Sequence, residues 1–249
     1  MALDLQIFKT RALTAIVFVI AMLVGLLWNQ WSFIILFVII HFGCWYEFIK
    51  LMVKINPEKF GYYLPLGLLY ITMPALMMID LFFISNVYHI SLQHFFPVIP
   101  CAIIFSIWIN DTMAYLVGSF IGKTPLSKIS PKKTWEGTLG GAVLSIAIVA
   151  MFGIWNKSYS MTDRIFIPAI CAVFGGLGDL IESKLKRMAQ VKDSGNIMPG
   201  HGGFLDRFDS LLIATPFVWL CLFIYALEIT FCLLSLIYIC LSIFFNEDS

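Results

Sequence analysis

Apolar residues run along this chain in long, nearly unbroken stretches. They neither alternate strictly nor recur only every third or fourth position. Eight runs stand out, at roughly 12–28, 32–50, 62–84, 96–121, 137–155, 164–184, 210–227 and 229–245. A run of this length crosses about 30 Å of hydrocarbon. A single segment does so as a helix, because only then does every backbone polar group find a partner within it. The pattern predicts an all-α fold, a polytopic transmembrane helix bundle of about eight spans. Two places are soft. The run 62–84 contains Pro65 and Pro74 and reads as one span or as a broken one, and only Glu228 marks a turn between the last two runs.

Composition agrees. Of 249 residues, 60% are hydrophobic and 12% charged, against about 25% charged in a soluble domain. The first run lacks a small-residue cleavage site and is read as a span, not a cleaved signal. Cys44, Cys101, Cys171, Cys221, Cys232 and Cys240 all lie in apolar runs, with no CxxC pair. They read as small buried hydrophobes, which argues against a disulfide framework or a zinc site. A net charge of +1 says nothing about partners.

The placement of charge says more. With the N-terminus in the cytoplasm, every Lys and Arg except Lys157 and Arg164 falls on the cytoplasmic side, as the positive-inside rule requires. Eight spans return the C-terminus to that side. The chain then reads as a single membrane domain over 1–249, with N-terminal helices over 1–100. The region 101–249 carries the chemistry on two cytoplasmic loops, 122–137 and 186–209. No internal repeat is visible.

Ionisable groups inside apolar runs are costly and point to function. In "GGLGDLIESKLKR" (175–187), Asp179, Glu182, Ser183 and Lys186 share one helical stripe. A plain helix end with an i,i+4 Glu182–Lys186 pair accounts for part of this, but less well for the deeper Asp179 behind its glycines. Asp111, in "IWINDTMAYLVG", has to meet a cation, a metal or a water-filled cavity. The alternative for it is a structural hydrogen-bond knot between helices. "GHGGFLDRFDS" (200–210) adds Asp206 and Asp209 at i,i+3, with His201, Gly202, Gly203 and Arg207. Helix capping by Asp209 or Ser210 competes with a functional role there. Clustered carboxylates suit a hard cation such as magnesium. Lys128, Ser130, Lys132, Lys133 and Thr134, just before a helix expected near Trp135, form a phosphate-binding arrangement; the lysines read otherwise as charges facing anionic lipid. "GSFIGKT" (118–124) is one residue short of a P-loop and follows a helix, not a strand, so it is rejected.

"SKLKRMAQVKDSGNIMPGHGGFLDRFDS" (183–210) resembles the signature of the phosphatidate cytidylyltransferases, S-x-x-K-R, K-D and H-G-G-x-x-D-R-x-D. Ser183, Lys186, Arg187, Lys192, Asp193, His201, Gly202, Gly203, Asp206, Arg207 and Asp209 all fall in place. "NDTMAYLVGSFIGKTPLSKISPKKTWEG" (110–137) is similar to the family's second block, and "QIFKTRALTAIV" (6–17) more weakly to its N-terminal end. The resemblance implies transfer of the cytidylyl group of CTP to phosphatidic acid, giving CDP-diacylglycerol and pyrophosphate. It implies a magnesium centre on Asp179 and Asp206, with potassium as a candidate second metal. Catalytic roles then fall to Asp179, Asp206, Lys186, Ser183, Asp209 and His201. Substrate-binding roles fall to Lys132, Lys133, Thr134, Ser130, Arg207, Asp111, Gly202 and Gly203. The partners expected are CTP, phosphatidic acid and membrane lipid, with no nucleic acid and with a homodimer left open. The place expected is a bacterial inner membrane, active site towards the cytoplasm. Two rivals stay open: a CTP-dependent kinase of a polyprenol-type lipid, and an ion-coupled transporter.

Overall fold

A computed structural model describes residues 5–88, 97–127, 129–153, 161–197 and 202–224. Within them the regular secondary structure is helical, with an isolated bridge between Pro125 and Thr134. The helices are α1 (Leu5–Leu27), α2 (Gln30–Ile55), the short α3 (Leu64–Gly67), α4 (Met73–Tyr88), α5 (Val98–Ile121), α6 (Trp135–Gly153), α7 (Met161–Met188) and α8 (Leu205–Ile224).

Five helical runs are long and apolar enough to cross a membrane: α2, the run Phe60–Ile84, α5, the Asp163–Met188 part of α7, and α8. The apolar parts of α1 and α6, Ala12–Leu27 and Trp135–Met151, are shorter. Seven of the eight expected runs thus correspond to helices, and the run 229–245 lies outside the described residues. Large apolar side chains such as Leu13, Ile16, Phe42, Leu76 and Val143 are exposed, an arrangement suited to lipid rather than water.

Local chemistry explains the boundaries. Between α1 and α2, Asn29 Oδ1 accepts from the Ser32 N–H at 2.9 Å. Ser32 Oγ accepts from the Asn29 N–H at 3.1 Å, closing a reciprocal cap. The proline-containing run is continuous but changes register: a 3-10 turn (Phe60–Tyr63), α3, a π turn (Leu68–Thr72), then α4. Pro74 has no N–H to offer the preceding turn, and the π turn lies directly ahead of it. That turn presents Thr72 to α2, where its Oγ1 accepts from Trp45 Nε1 at 2.9 Å and lies 3.0 Å from His41 Nε2.

The expected loop 186–209 is shorter than its sequence suggested. Lys186 and Arg187 belong to the last turns of α7, and Asp206 and Asp209 to the first turns of α8. Ion pairing of Lys186 at one end, and acceptors for the first N–H groups of α8 at the other, let both helices run on. Two contacts fix how the site helices cross. A Cβ on Gly137 would stand 2.8 Å from the Ala114 carbonyl oxygen, and one on Gly141 2.7 Å from the Ala114 nitrogen, so α5 and α6 meet at the backbone. A Cβ on Gly178 would collide with the Asp209 carbonyl oxygen, so α7 meets α8 in the same way.

Candidate active site

The C-terminal half of α5, the middle of α7 and the N-terminal ends of α6 and α8 enclose a cleft of about 590 Å³. It gathers eight residues singled out from the sequence: Asp111, Ser130, Lys132, Lys133, Thr134, Asp179, Asp206 and Asp209. A cavity of this size suits a small-molecule ligand.

Glycine makes the cleft's carboxylate cluster. Because Gly178 lets α8 touch α7, Asp179 and Glu182 stand beside Asp209. One oxygen from each of the three lies within 4.8 Å of the others. Glu182 is fully buried, and its carboxylate meets Lys186 Nζ at 2.5 Å. Lys186 also reaches Asp206 Oδ1 at 2.6 Å. Ser183 Oγ donates to Asp179 Oδ1 at 3.4 Å, and Asp209 Oδ1 accepts from the Ser210 N–H at 2.6 Å. The i,i+4 pair of the plain helix-end account is therefore present, but as part of a network spanning two helices. Of the two expected metal ligands, Asp179 belongs to the cluster. Asp206 faces the same cleft, and its other oxygen accepts from the N–H groups of Ser194 and Gly203 at 2.9 and 2.8 Å. Gly202, at φ +83°, makes this turn; a Cβ there would press on Asp206 Oδ2 at 2.6 Å.

The opposite wall is cationic. Glu136, in the first turn of α6, folds the loop back by accepting from the N–H groups of Lys123 and Thr124, both at 3.1 Å, and from the Thr124 hydroxyl at 2.8 Å. The Leu126 N–H donates to the Lys133 carbonyl at 2.7 Å, and the Trp135 N–H to the Thr124 carbonyl at 2.9 Å. Thr134 caps α6, its Oγ1 accepting from the Gly137 N–H at 3.1 Å. The helix starts at Trp135, where the sequence placed it. Lys133 crosses the cleft to pair with Asp179. Burial pulls its ammonium below the usual lysine value, and the Asp111 and Asp209 carboxylates partly restore it.

Arg207 is exposed beside Asp206. Lys128 and His201 lie outside the described residues. Asp111 is exposed to the cleft, not buried in a knot between helices.

One residue was missed. Glu47 on α2 is fully buried, yet its carboxylate accepts from Ser194 Oγ at 2.6 Å and from the N–H groups of Phe204 and Leu205 at 3.0 and 2.9 Å. An acid inside the apolar run 32–50 was the signal.

The family model described as the cytidylyltransferase family matches residues 80–225. The chain belongs to the cytidylyltransferase family. It is 46% identical over 122 residues to a phosphatidate cytidylyltransferase of Bacillus subtilis, 48% of this chain and 45% of that protein. It is 44% identical over 112 residues to one from Staphylococcus haemolyticus, and 46% identical over 112 residues to one from Staphylococcus aureus; each of these covers 44% of this chain and 43% of the relative. Each alignment spans less than half the relative's length. In this member of the family, the matched stretch contains every lining residue of the cleft, whereas Glu47 lies outside it.

Proposed function

We propose that the protein transfers the cytidylyl group of CTP to phosphatidic acid, giving CDP-diacylglycerol and pyrophosphate. One observation carries the proposal: a carboxylate cluster and a loop of lysines and hydroxyls face each other across one cleft in a helical apolar chain. Family membership supports the nucleotidyl donor, and the names of the relatives support the lipid acceptor.

The residues fit magnesium. Asp111, Asp179, Glu182, Asp206 and Asp209 outnumber the cations Lys132, Lys133 and Lys186 around the cleft. The all-oxygen donor set suits a hard cation. Asp179 and Asp206 would hold the ion, with Glu182 and Asp209 completing the oxygen set; potassium is the proposed second ion. When bound, magnesium supplies charge neutralisation at the reacting phosphates.

The protein's own groups do the positioning. The lipid phosphate is already an anion, so its oxygen attacks the α-phosphorus without a strong base. A P–O bond forms there, the α–β bridging bond breaks, and pyrophosphate leaves with the electron pair. Positioning and electrostatics dominate such transfers. Lys132 and Lys133, with the Ser130 and Thr134 hydroxyls at the start of α6, hold the triphosphate. Lys186 and Arg207, with Gly202 and Gly203, hold the second phosphate, and His201 serves proton transfer or a phosphate contact. Asp111 orients the lysine side. The lysine-rich loops support a cytoplasmic active site in a bacterial inner membrane. There the lipid keeps its acyl chains between helices and CTP arrives from solvent.

The test is incorporation of α-phosphate label from CTP into lipid, in detergent micelles containing phosphatidic acid and magnesium. Label in CDP-diacylglycerol, lost in Asp206→Asn, is the expected outcome. Release of CDP upon adding an alcohol lipid, without lipid label from the α-phosphate, would replace this reading by a kinase. Neither product from folded protein that binds no CTP would favour a transporter.

A further inference from the structure

The polar network does not end at Asp206. Ser194 Oγ lies 2.9 Å from Asp206 Oδ2 and 2.6 Å from Glu47 Oε2. A hydroxyl has one proton to give, and the Ser194 backbone N–H already serves Asp206 at 2.9 Å. The shorter contact therefore takes the hydroxyl proton to Glu47. The other two groups on this carboxylate are the Phe204 and Leu205 N–H groups, at the start of α8. All three partners are donors, and they match an acceptor-only carboxylate. Space is equally tight: a Cβ on Gly195 or Gly203 would collide with the Glu47 oxygens.

We infer that Glu47 is a positioning residue for the transfer reaction. From α2 it ties the Ser194–Gly195 turn to the first N–H groups of α8. It thereby holds Asp206, and Lys186 on Asp206, facing Asp179. The inference rests on the function proposed above. A carboxylate that merely caps α8 would add stability without setting how the cleft works.

Glu47→Gln tests the difference without changing volume. The Phe204 and Leu205 N–H groups sit on different oxygens, so the amide NH₂ of a glutamine must oppose one of them. In purified protein in detergent, kcat is expected to fall on the order of 10–100-fold, as when groups orienting a metal ligand are lost. KM for CTP should stay within about twofold, and the magnesium concentration for half-maximal rate should rise. Ser194→Ala keeps the backbone N–H on Asp206 but removes the hydroxyl that ties Glu47 to this turn, so the double variant should resemble Glu47→Gln alone. Amide hydrogen exchange over 203–206 should quicken in Glu47→Gln while α5 and α6 stay unchanged. If Glu47→Gln fails to fold, Ser194→Ala carries the same kcat, magnesium and exchange test. Wild-type kcat and magnesium dependence in the folded variants would overturn the inference. Strictly multiplicative effects of the two substitutions, or unchanged exchange at 203–206, would overturn it too. A wild-type protein that forms no CDP-diacylglycerol would instead sink the proposed function; the exchange comparison still decides whether Glu47 clamps α8.

Discussion

The N-terminal and C-terminal helices differ in the contacts that set their spacing. α2 and α4 interlock through rings: Phe33 stacks on Phe82 at 4.6 Å, and Phe37 and Phe48 are buried between helices. α5 to α8 meet at their backbones, with Gly137 and Gly141 against Ala114 and Gly178 against Asp209, and add one ring stack, Phe174 on Phe217. Lipid is as apolar as leucine, so helices in it are joined by close packing and polar links rather than by expulsion from water. Rings fill the space between helices. Glycine contacts instead fix inter-backbone distances, and the cleft opens among those four helices. The site stands where small residues set the geometry, and a single buried acid, Glu47, reaches it from the ring-packed side.

The sharpest way to separate the two sides is chemical. Asp179→Asn removes one charge from the carboxylate cluster and the partner of Lys133. Loss of several kcal/mol of charge stabilisation corresponds to a fall on the order of 10³-fold in label transfer. Thermal unfolding in detergent should barely move. Phe33→Leu should do the reverse, leaving transfer within about twofold while costing about 1 kcal/mol of stability. Equal losses of activity in both variants would end the division of labour.

Next in size is a steric test. Gly141→Leu places a side chain where a Cβ already meets the Ala114 nitrogen at 2.7 Å. Overpacking of this kind costs about 1–3 kcal/mol. Because α6 also carries Thr134 and Glu136, which shape the lysine loop, CTP affinity should weaken along with the melting temperature. A variant as stable as wild type would show that α5 and α6 are not set by close approach.

The same contrast explains what was legible in the sequence. Long apolar runs announce helices; Asp111 and Asp179 were visible because a carboxylate in an apolar run has few bland explanations, and Asp206 and Asp209 because they cluster with His201 and glycines in one short polar stretch. Their convergence on one cleft followed. The third member of the cluster was harder to see. Spacing put Asp179 and Glu182 on one stripe, but Asp209 joins them only because α7 and α8 touch at Gly178. Glu47 obeys the rule that flagged Asp111, yet two of its partners are backbone N–H groups more than 150 positions away. Such partners leave no side-chain pattern to read. The ends of the 186–209 loop were misplaced for a related reason: acceptors from another helix decide where α8 begins. His201 and the run 229–245 lie outside the described residues.

The smallest effect belongs to the link between the two halves. Trp219 Nε1 on α8 donates to Asp80 Oδ2 on α4 at 2.6 Å, and Asp80 is exposed on the bundle's side. Asp80 is also where the family match begins. Trp219→Phe keeps an aromatic ring to stack against Phe223 and removes only the donor. A hydrogen bond to a charged acceptor contributes about 1.5–3 kcal/mol when well buried; exposure brings the expected loss nearer 1 kcal/mol. Thermal unfolding in detergent should register that drop, with transfer activity unchanged because neither residue lines the cleft. If the drop exceeds that of Gly141→Leu, polar links rather than backbone contacts dominate the C-terminal side. Glycine would then shape the cleft without holding it together.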